Sequence, residues 1–232
     1  MTSRASLIAL ALAALGFAAS LVIGPEGGGV PGAADAARMV LIEIRLPRAI
    51  LGALVGAALG LAGAALQGYL RNPLAEPGLL GISGGAALGA VTAIHSGLAG
   101  AFALALPLGG LVGASVAAIA IVALAGMSGS TTSLILAGVA VSAITAALTT
   151  RARNLSANPF ASVEIMVWLM GSLTDRSLVH VWLAAPLILV GLAMLLTTGR
   201  DLEALSLGEE AAQNLGVDPQ VLSFKIISGA AL

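Results

Sequence analysis

Seventy-four consecutive residues, positions 77 to 150, contain no Asp, Glu, Lys or Arg. No soluble fold can surround so long an uncharged stretch with water, so its solvent must be apolar. A helix rises about 1.5 Å per residue and a bilayer core is about 30 Å thick, so one span takes about 20 residues. The stretch is therefore too long for one span and suits three. The rest of the chain agrees: only 9% of its 232 residues are charged and 59% are hydrophobic, where soluble domains carry about 25% charge. Mean hydropathy is +1.06. A soluble enzyme and a disordered chain are excluded. The absence of cysteine removes disulfide scaffolds, thiol catalysis and thiolate metal sites together. A net charge of −1 offers no footprint for nucleic acid.

The charges fall in clumps, and the gaps between them predict the organisation. Residues 5–24 form one uncharged run and 49–70 a second. Breaks near 95–100 and 126–133 divide the long stretch into helices near 79–97, 103–126 and 134–150, and 178–198 makes a sixth span. The expected fold is an all-α polytopic membrane helix bundle, one transmembrane domain over 1–232 with six spans. Strands are disfavoured because barrel segments alternate over about ten residues. A secretory signal peptide is the lesser alternative for 5–24, whose apolar stretch exceeds the usual h-region of about 7–15 residues.

Much of the glycine is in register. Gly52, Gly56, Gly60, Ala64 and Gly68 recur every four residues in the second span, as do Gly81, Gly85 and Gly89 in the third. That spacing puts small residues on one helix face, where backbones can approach closely in lipid. Both registers are expected to be packing faces.

Four polar segments carry whatever is specific. The first ends in Arg45-Leu46-Pro47-Arg48, and Pro47 suits the first turn of the second span. Two arginines there face the unfavourable end of the helix dipole. They read either as interfacial anchors that snorkel or as a paired contact for a partner's carboxylates. The second segment, Arg71-Asn72-Pro73-Leu74-Ala75-Glu76-Pro77-Gly78, is a reversal, since its prolines forbid a continuous helix. Gly81-Ile82-Ser83-Gly84-Gly85 matches a nucleophile elbow in letters only, with no preceding strand and no acid partner.

The third segment, 151–177, contains a helix over 164–173 with an interfacial mixture of residues; Trp168 and Trp182 read as belt residues. In the fourth, 199–225, Ser206 and Glu209 form a capping box, Leu207, Ala211 and Leu215 share a face, and Gly216 supplies a C-terminal cap. This short helix is not needed for spanning, so it either touches a soluble partner or lies on lipid. Neither His95 nor His180 has a second ligand at metal spacing. The one lysine, Lys225, lies in no P-loop. No catalytic residue, metal or cofactor is expected.

Arg45 to Arg48, the glycine-rich helix ending Leu66-Gln67-Gly68, the stretch from Arg71 to Gly85 and that from Leu205 to Gly216 resemble, in order, the FecCD permeases. These are membrane subunits of type II ABC importers for iron-siderophores, haem and cobalamin. The resemblance implies ten helices per subunit, a permease homodimer around a central path, two ATPase subunits on the cytoplasmic side, and a periplasmic substrate-binding protein that delivers the metal chelate. It implies that Arg45 and Arg48 meet the binding protein. Leu207, Gly208, Glu209, Glu210, Leu215 and Gly216 would belong to a coupling helix docked on the ATPase. Thr131 and Thr132, in Ser130-Thr131-Thr132-Ser133, are implied gate residues.

The expected function is inward translocation of an iron-siderophore-type chelate across a bacterial inner membrane, driven by a separate ATPase. Cobalamin or haem import, or a truncated non-transporting assembly subunit, are the alternatives. Against ten helices the chain offers six and then the apolar residues 226–232, too few to span, so it is expected to be the first two-thirds of a permease. The family orientation puts Arg4, Arg71, Arg200 and Lys225 inside and Arg38, Arg45, Arg48, Arg151, Arg153 and Arg176 outside. This is opposite to the positive-inside tendency. An intramembrane enzyme or an ion-coupled transporter would need ionisable groups within its spans, and the uncharged stretch supplies none.

Overall fold

Backbone in hydrocarbon must pair its own N–H and C=O groups, and apolar runs of span length do so as helices. In a computed structural model of the chain, residues 4–24, 27–28, 34–126, 131–155, 159–174 and 176–232 are described. The long helices are α1 (Arg4–Val22), α3 (Leu46–Leu70), α6 (Ala105–Ala125), α7 (Thr131–Asn154) and α9 (Leu178–Leu196). Between them lie α2 (Ala34–Met39), α4 (Ile82–His95), α5 (Leu98–Ala101) and α8 (Pro159–Met170), followed by α10 (Gly199–Ser206), α11 (Glu209–Asn214) and α12 (Pro219–Ala231). A minimal antiparallel pair, β1 (Ile23–Gly24) with β2 (Gly27–Gly28), follows α1. The fold is an all-α polytopic membrane bundle. Among the described residues, five helical stretches are long and apolar enough to cross a membrane.

Three expectations about boundaries are corrected. The second span does not begin at Pro47: a π-helical turn, Val40–Arg45, joins α2 to α3, and Leu46 N–H bonds the Leu41 carbonyl. The wide turn accommodates a proline that lacks an N–H and would crowd the preceding turn of a regular α-helix. The third span is shorter than 79–97. Pro77–Leu80 is a 3-10 turn, Gly81 at φ 73° closes it, and α4 has only 14 residues. The helix expected over 164–173 instead begins at Pro159 and ends at Met170, where Gly171 takes a positive φ of 75°.

The chain forms two compact units. One comprises Met1–Ala57 with Ser172–Leu189, the other Ala58–Gly171 with Val190–Leu232. In the second, Leu66, Leu80, Ile121, Leu134, Leu222 and Ile226 are fully buried and join α3, the 3-10 turn, α6, α7 and α12 in one apolar core.

Close crossings in this unit are made by glycine. A Cβ on Gly85 would lie 2.6 Å from the Gly113 carbonyl oxygen, and one on Gly109 2.8 Å from that of Gly89, so α4 and α6 touch backbone to backbone. Gly138 of α7 does the same for the 3-10 turn, where a Cβ would lie 2.9 Å from the Leu79 carbonyl oxygen. Gly85 and Gly89 thus pack together against α6, whereas Gly81, just outside α4, meets Gly138 and Ser142 of α7 instead of sharing that face. The other register packs only at its end: among the described residues nothing lies within 4 Å of a Cβ at Gly56 or Gly60, only Leu173 approaches Gly52, at 3.9 Å, and Gly68 meets Leu202 at 3.6 Å. Small residues permit a crossing but cannot create one without an opposing helix. Along Gly52 and Gly56 the facing residues of α1, Ala13, Gly16 and Phe17, stand off across a cavity.

Gly89→Ala and Gly113→Ala are each expected to destabilise the chain by about 1–3 kcal/mol, the usual effect of overpacking. Gly56→Ala and Gly60→Ala should stay within about 0.5 kcal/mol. Thermal unfolding of the four variants in detergent checks this, and equal losses in all four would refute the assignment of the crossing.

Candidate functional site

The reversal after α3 is built by its sequence. Asn72 N–H bonds back to the Gln67 carbonyl (3.1 Å), which places Arg71 in the left-handed conformation at φ 47°. Arg71 is the one non-glycine with positive φ among the described residues. The Asn72 Oδ1 accepts from Leu74 N–H (2.9 Å), the Asn72 carbonyl accepts from Ala75 N–H (3.1 Å), and Gln67 Nε2 donates to the Ala75 carbonyl (3.4 Å). Ala75 is buried and Pro77 half-buried, whereas Asn72, Pro73, Glu76 and Gly78 are exposed. Leu74 is 82% exposed.

The same unit holds α10, α11 and α12. Thr198, fully buried, donates its hydroxyl to the Leu195 carbonyl (2.7 Å) where α9 passes into α10. The expected capping box is absent. Ser206 ends α10 and its hydroxyl donates back to the Glu203 carbonyl (2.6 Å), so the break falls two residues later, at Gly208 with φ 117°. Only glycine adopts that angle without strain. Gly216 closes α11 at φ 89°, with Val217 N–H reaching back to the Ala212 carbonyl (3.0 Å). Ala212 is the inward residue of α11, while Leu207 and Leu215 are 70% and 66% exposed and Glu210 is exposed. Asp218 caps α12, accepting from Gln220 N–H (2.8 Å) ahead of Pro219.

Two ion pairs join these pieces: Arg71 to Glu209 at 3.9 Å, and Lys225 to Asp201 at 3.8 Å. The structure therefore brings the 71–78 turn and the 207–216 segment together, which sequence reading treated separately. No motif links the two; only the opposite signs of Arg71 and Glu209 hinted at it.

Arg45 and Arg48, in the other unit, are not a matched pair. Arg45 is 9% exposed, and its guanidinium donates to the Leu21 and Val22 carbonyls, both at 2.9 Å, at the C-terminus of α1. There a cation meets the negative end of the α1 dipole. Gly24 leaves room for it, since a Cβ would lie 3.1 Å from the Arg45 Cζ. Arg48 is half-buried and donates to the Thr174 carbonyl (3.0 Å). Of the gate candidates, Thr131 opens α7 and Thr132 is exposed on its first turn; Ser130 lies outside the described residues.

A feature missed in the sequence lies on α7. Ser142, Thr145, Thr149, Thr150 and Arg153 line a cavity of about 360 Å³ beside Gly81. The Thr145 hydroxyl is spent on the Val141 carbonyl (2.9 Å), whereas the buried Ser142 Oγ has no hydrogen-bond partner among the described residues. The signal was a hydroxyl stripe at helical spacing, overlooked because charge was the guide.

Comparison with known proteins bears on these surfaces. The FecCD transport family profile matches residues 5–232. The chain is 40% identical over 193 residues to the cobalamin import system permease protein BtuC of Halobacterium salinarum, covering 82% of this chain and 50% of that protein. It is 36% identical over 198 residues to an uncharacterised ABC transporter permease protein, YvrB, of Bacillus subtilis, covering 83% and 56%. With the vitamin B12 import system permease protein BtuC of Salmonella paratyphi A it shares 39% over 175 residues, covering 75% and 53%. The chain thus spans about half the length of these curated relatives. Among solved structures it resembles a metal-chelate type ABC transporter in an inward-facing conformation, with TM-score 0.84 and 29% identity over 99% of this chain and 74% of that one.

Arg45→Ala is expected to leave the Leu21 and Val22 carbonyls without donors and to loosen the end of α1. Each charge-assisted bond is worth about 1.5–3 kcal/mol. Maleimide labelling of Leu21→Cys, at a half-buried position, should then quicken by about tenfold or more, with Arg45→Lys recovering only part of the protection. Unchanged labelling in Arg45→Ala would show that the fork does not hold α1.

Proposed function

The chain belongs to the FecCD transport family, and from that premise we propose that it is a membrane-spanning permease subunit of an ABC importer that carries a metal chelate inward. The observation that carries the reading is α11, a short helix delimited by Gly208 and Gly216 and flanked by Leu207 and Leu215, both of which are exposed. Two exposed leucines beside Glu209 and Glu210 are a poor face for lipid headgroups and a good one for a protein cleft. This segment is the coupling helix for an ATPase subunit. A permease homodimer in the plasma membrane, two ATPase subunits and an external binding protein complete the assembly. Closure of the ATPases displaces α11, and the helices rock about their crossings to open the path.

The α7 hydroxyl stripe suits such a path. Its hydroxyls offer weak, exchangeable hydrogen bonds to a bulky polar chelate, with Arg153 as the one charged side chain in the lining. Thr131 and Thr132 would act where that helix begins, as gate residues. Arg48 is the residue offered to the binding protein, because Arg45 is committed to α1. Among chelates, a ferric siderophore remains a candidate cargo. The cobalamin permeases named among the relatives favour cobalamin as the second reading.

Leu215→Glu is expected to cut ATP-driven uptake at least tenfold while the chain still inserts, and Arg48→Glu to raise the binding-protein concentration needed for half-maximal uptake by about three- to tenfold. Uptake of labelled cyanocobalamin and of a labelled ferric siderophore into vesicles holding the whole transporter checks both. Full ATP-driven uptake in Leu215→Glu would rule out the coupling role.

A further inference from the structure

Arg71 occupies a position where glycine is the usual choice. The left-handed conformation costs a side-chain-bearing residue about 1–2 kcal/mol, and the backbone bond that closes α3 would form as well with glycine. The side chain must therefore act elsewhere, and it reaches Glu209 of α11 at 3.9 Å. Three residues on, Leu74 stands 82% exposed, more than any other large apolar residue described. Leu74 is not a loose tail, because both it and the buried Ala75 bond to Asn72. A leucine held rigidly in the open on a turn that begins Arg71-Asn72-Pro73, between two spans, is placed for a protein rather than for lipid.

We propose that the Arg71–Leu74 turn and the α11 segment form one composite docking surface for the ATPase subunit, with Leu74 as a second apolar anchor beside Leu207 and Leu215. This rests on the reading of α11 as the coupling helix and adds to it a second element from a distant part of the chain. Charge complementarity identifies the occupant. Arg71 engages Glu209, which leaves Glu203 and Glu210 exposed around the leucines. An apolar cleft with a basic rim fits that face, and anionic headgroups do not. The ion pair is exposed on both sides, 46% and 66%, so it sets the register of the two elements and contributes little affinity by itself.

The experiment places a photo-crosslinking benzoylphenylalanine at position 74, at 215, or at the outward-facing Trp182, in the full chain assembled with a purified ABC ATPase subunit. Cross-links to the ATPase from 74 and 215 but not from 182 are expected. A cross-link from 215 alone overturns the composite surface while leaving the coupling helix intact; none from either overturns both. A cross-link from 74 only to lipid or to a second copy of this chain also overturns it. Arg71→Gly, which relieves the backbone and keeps the turn, is expected to weaken ATPase binding about two- to fivefold. Pairing Arg71→Glu with Glu209→Arg should restore it. Undiminished binding by Arg71→Gly would remove the bridging role.

Discussion

The larger unit depends on one contact, the approach of bare backbone to bare backbone where Gly85 and Gly89 meet Gly109 and Gly113. Lipid gives apolar side chains no reason to prefer one another, so helices associate through close packing and dispersion instead. A glycine crossing maximises both and admits no adjustment, since any Cβ collides with a carbonyl. A second close approach fixes the 3-10 turn: Gly138 seats Leu79 and Leu80 on α7 while α4 leads away from them. The short α4 is thereby clamped between two partners, and the reversal before it has a rigid base.

Polar interactions in the same unit are of a different kind. Arg71 with Glu209 and Lys225 with Asp201 are exposed or half-exposed pairs at nearly 4 Å, the class that contributes least to stability. Close backbone crossings inside the bundle thus contrast with weak ties among α3, α10, α11 and α12. Gly208 and Gly216 extend the logic: they isolate α11 as a unit that can shift against α10 and α12 with little backbone strain.

The helical class and the places of the long helices were legible because exclusion of charge is a direct consequence of lipid. A boundary was legible where a glycine acts locally, as at Gly216, but not at Gly81, where the expected helix over 79–97 starts three residues too early. Pro47 misled, since proline at a helix start and proline after a π-turn look alike in one dimension. The Ser206–Glu209 spacing misled for a related reason: a serine hydroxyl bonds equally well forward as a cap or backward to a carbonyl, and a nearby glycine decides which. Gly52, Gly56 and Gly60 form a longer register than Gly109 and Gly113, yet among the described residues a Cβ would meet backbone at the latter and not at the former. Spacing reports what a face can do, and an opposing helix decides what it does.

Arg45 and Arg48 show why residue type alone could not assign the candidate site. They are three positions apart on one continuous helical stretch, a spacing that puts neighbours on the same face, and sequence treats them as a pair. One guanidinium lies against two carbonyls that end α1, where burial and the helix dipole both hold it. The other has a single carbonyl partner and stays half-buried. Removing the first uncaps a helix, so its loss would mimic a docking defect without any partner being involved. Only the second can be altered without dismantling its own support, and a surface for a binding protein must be built from residues of that kind.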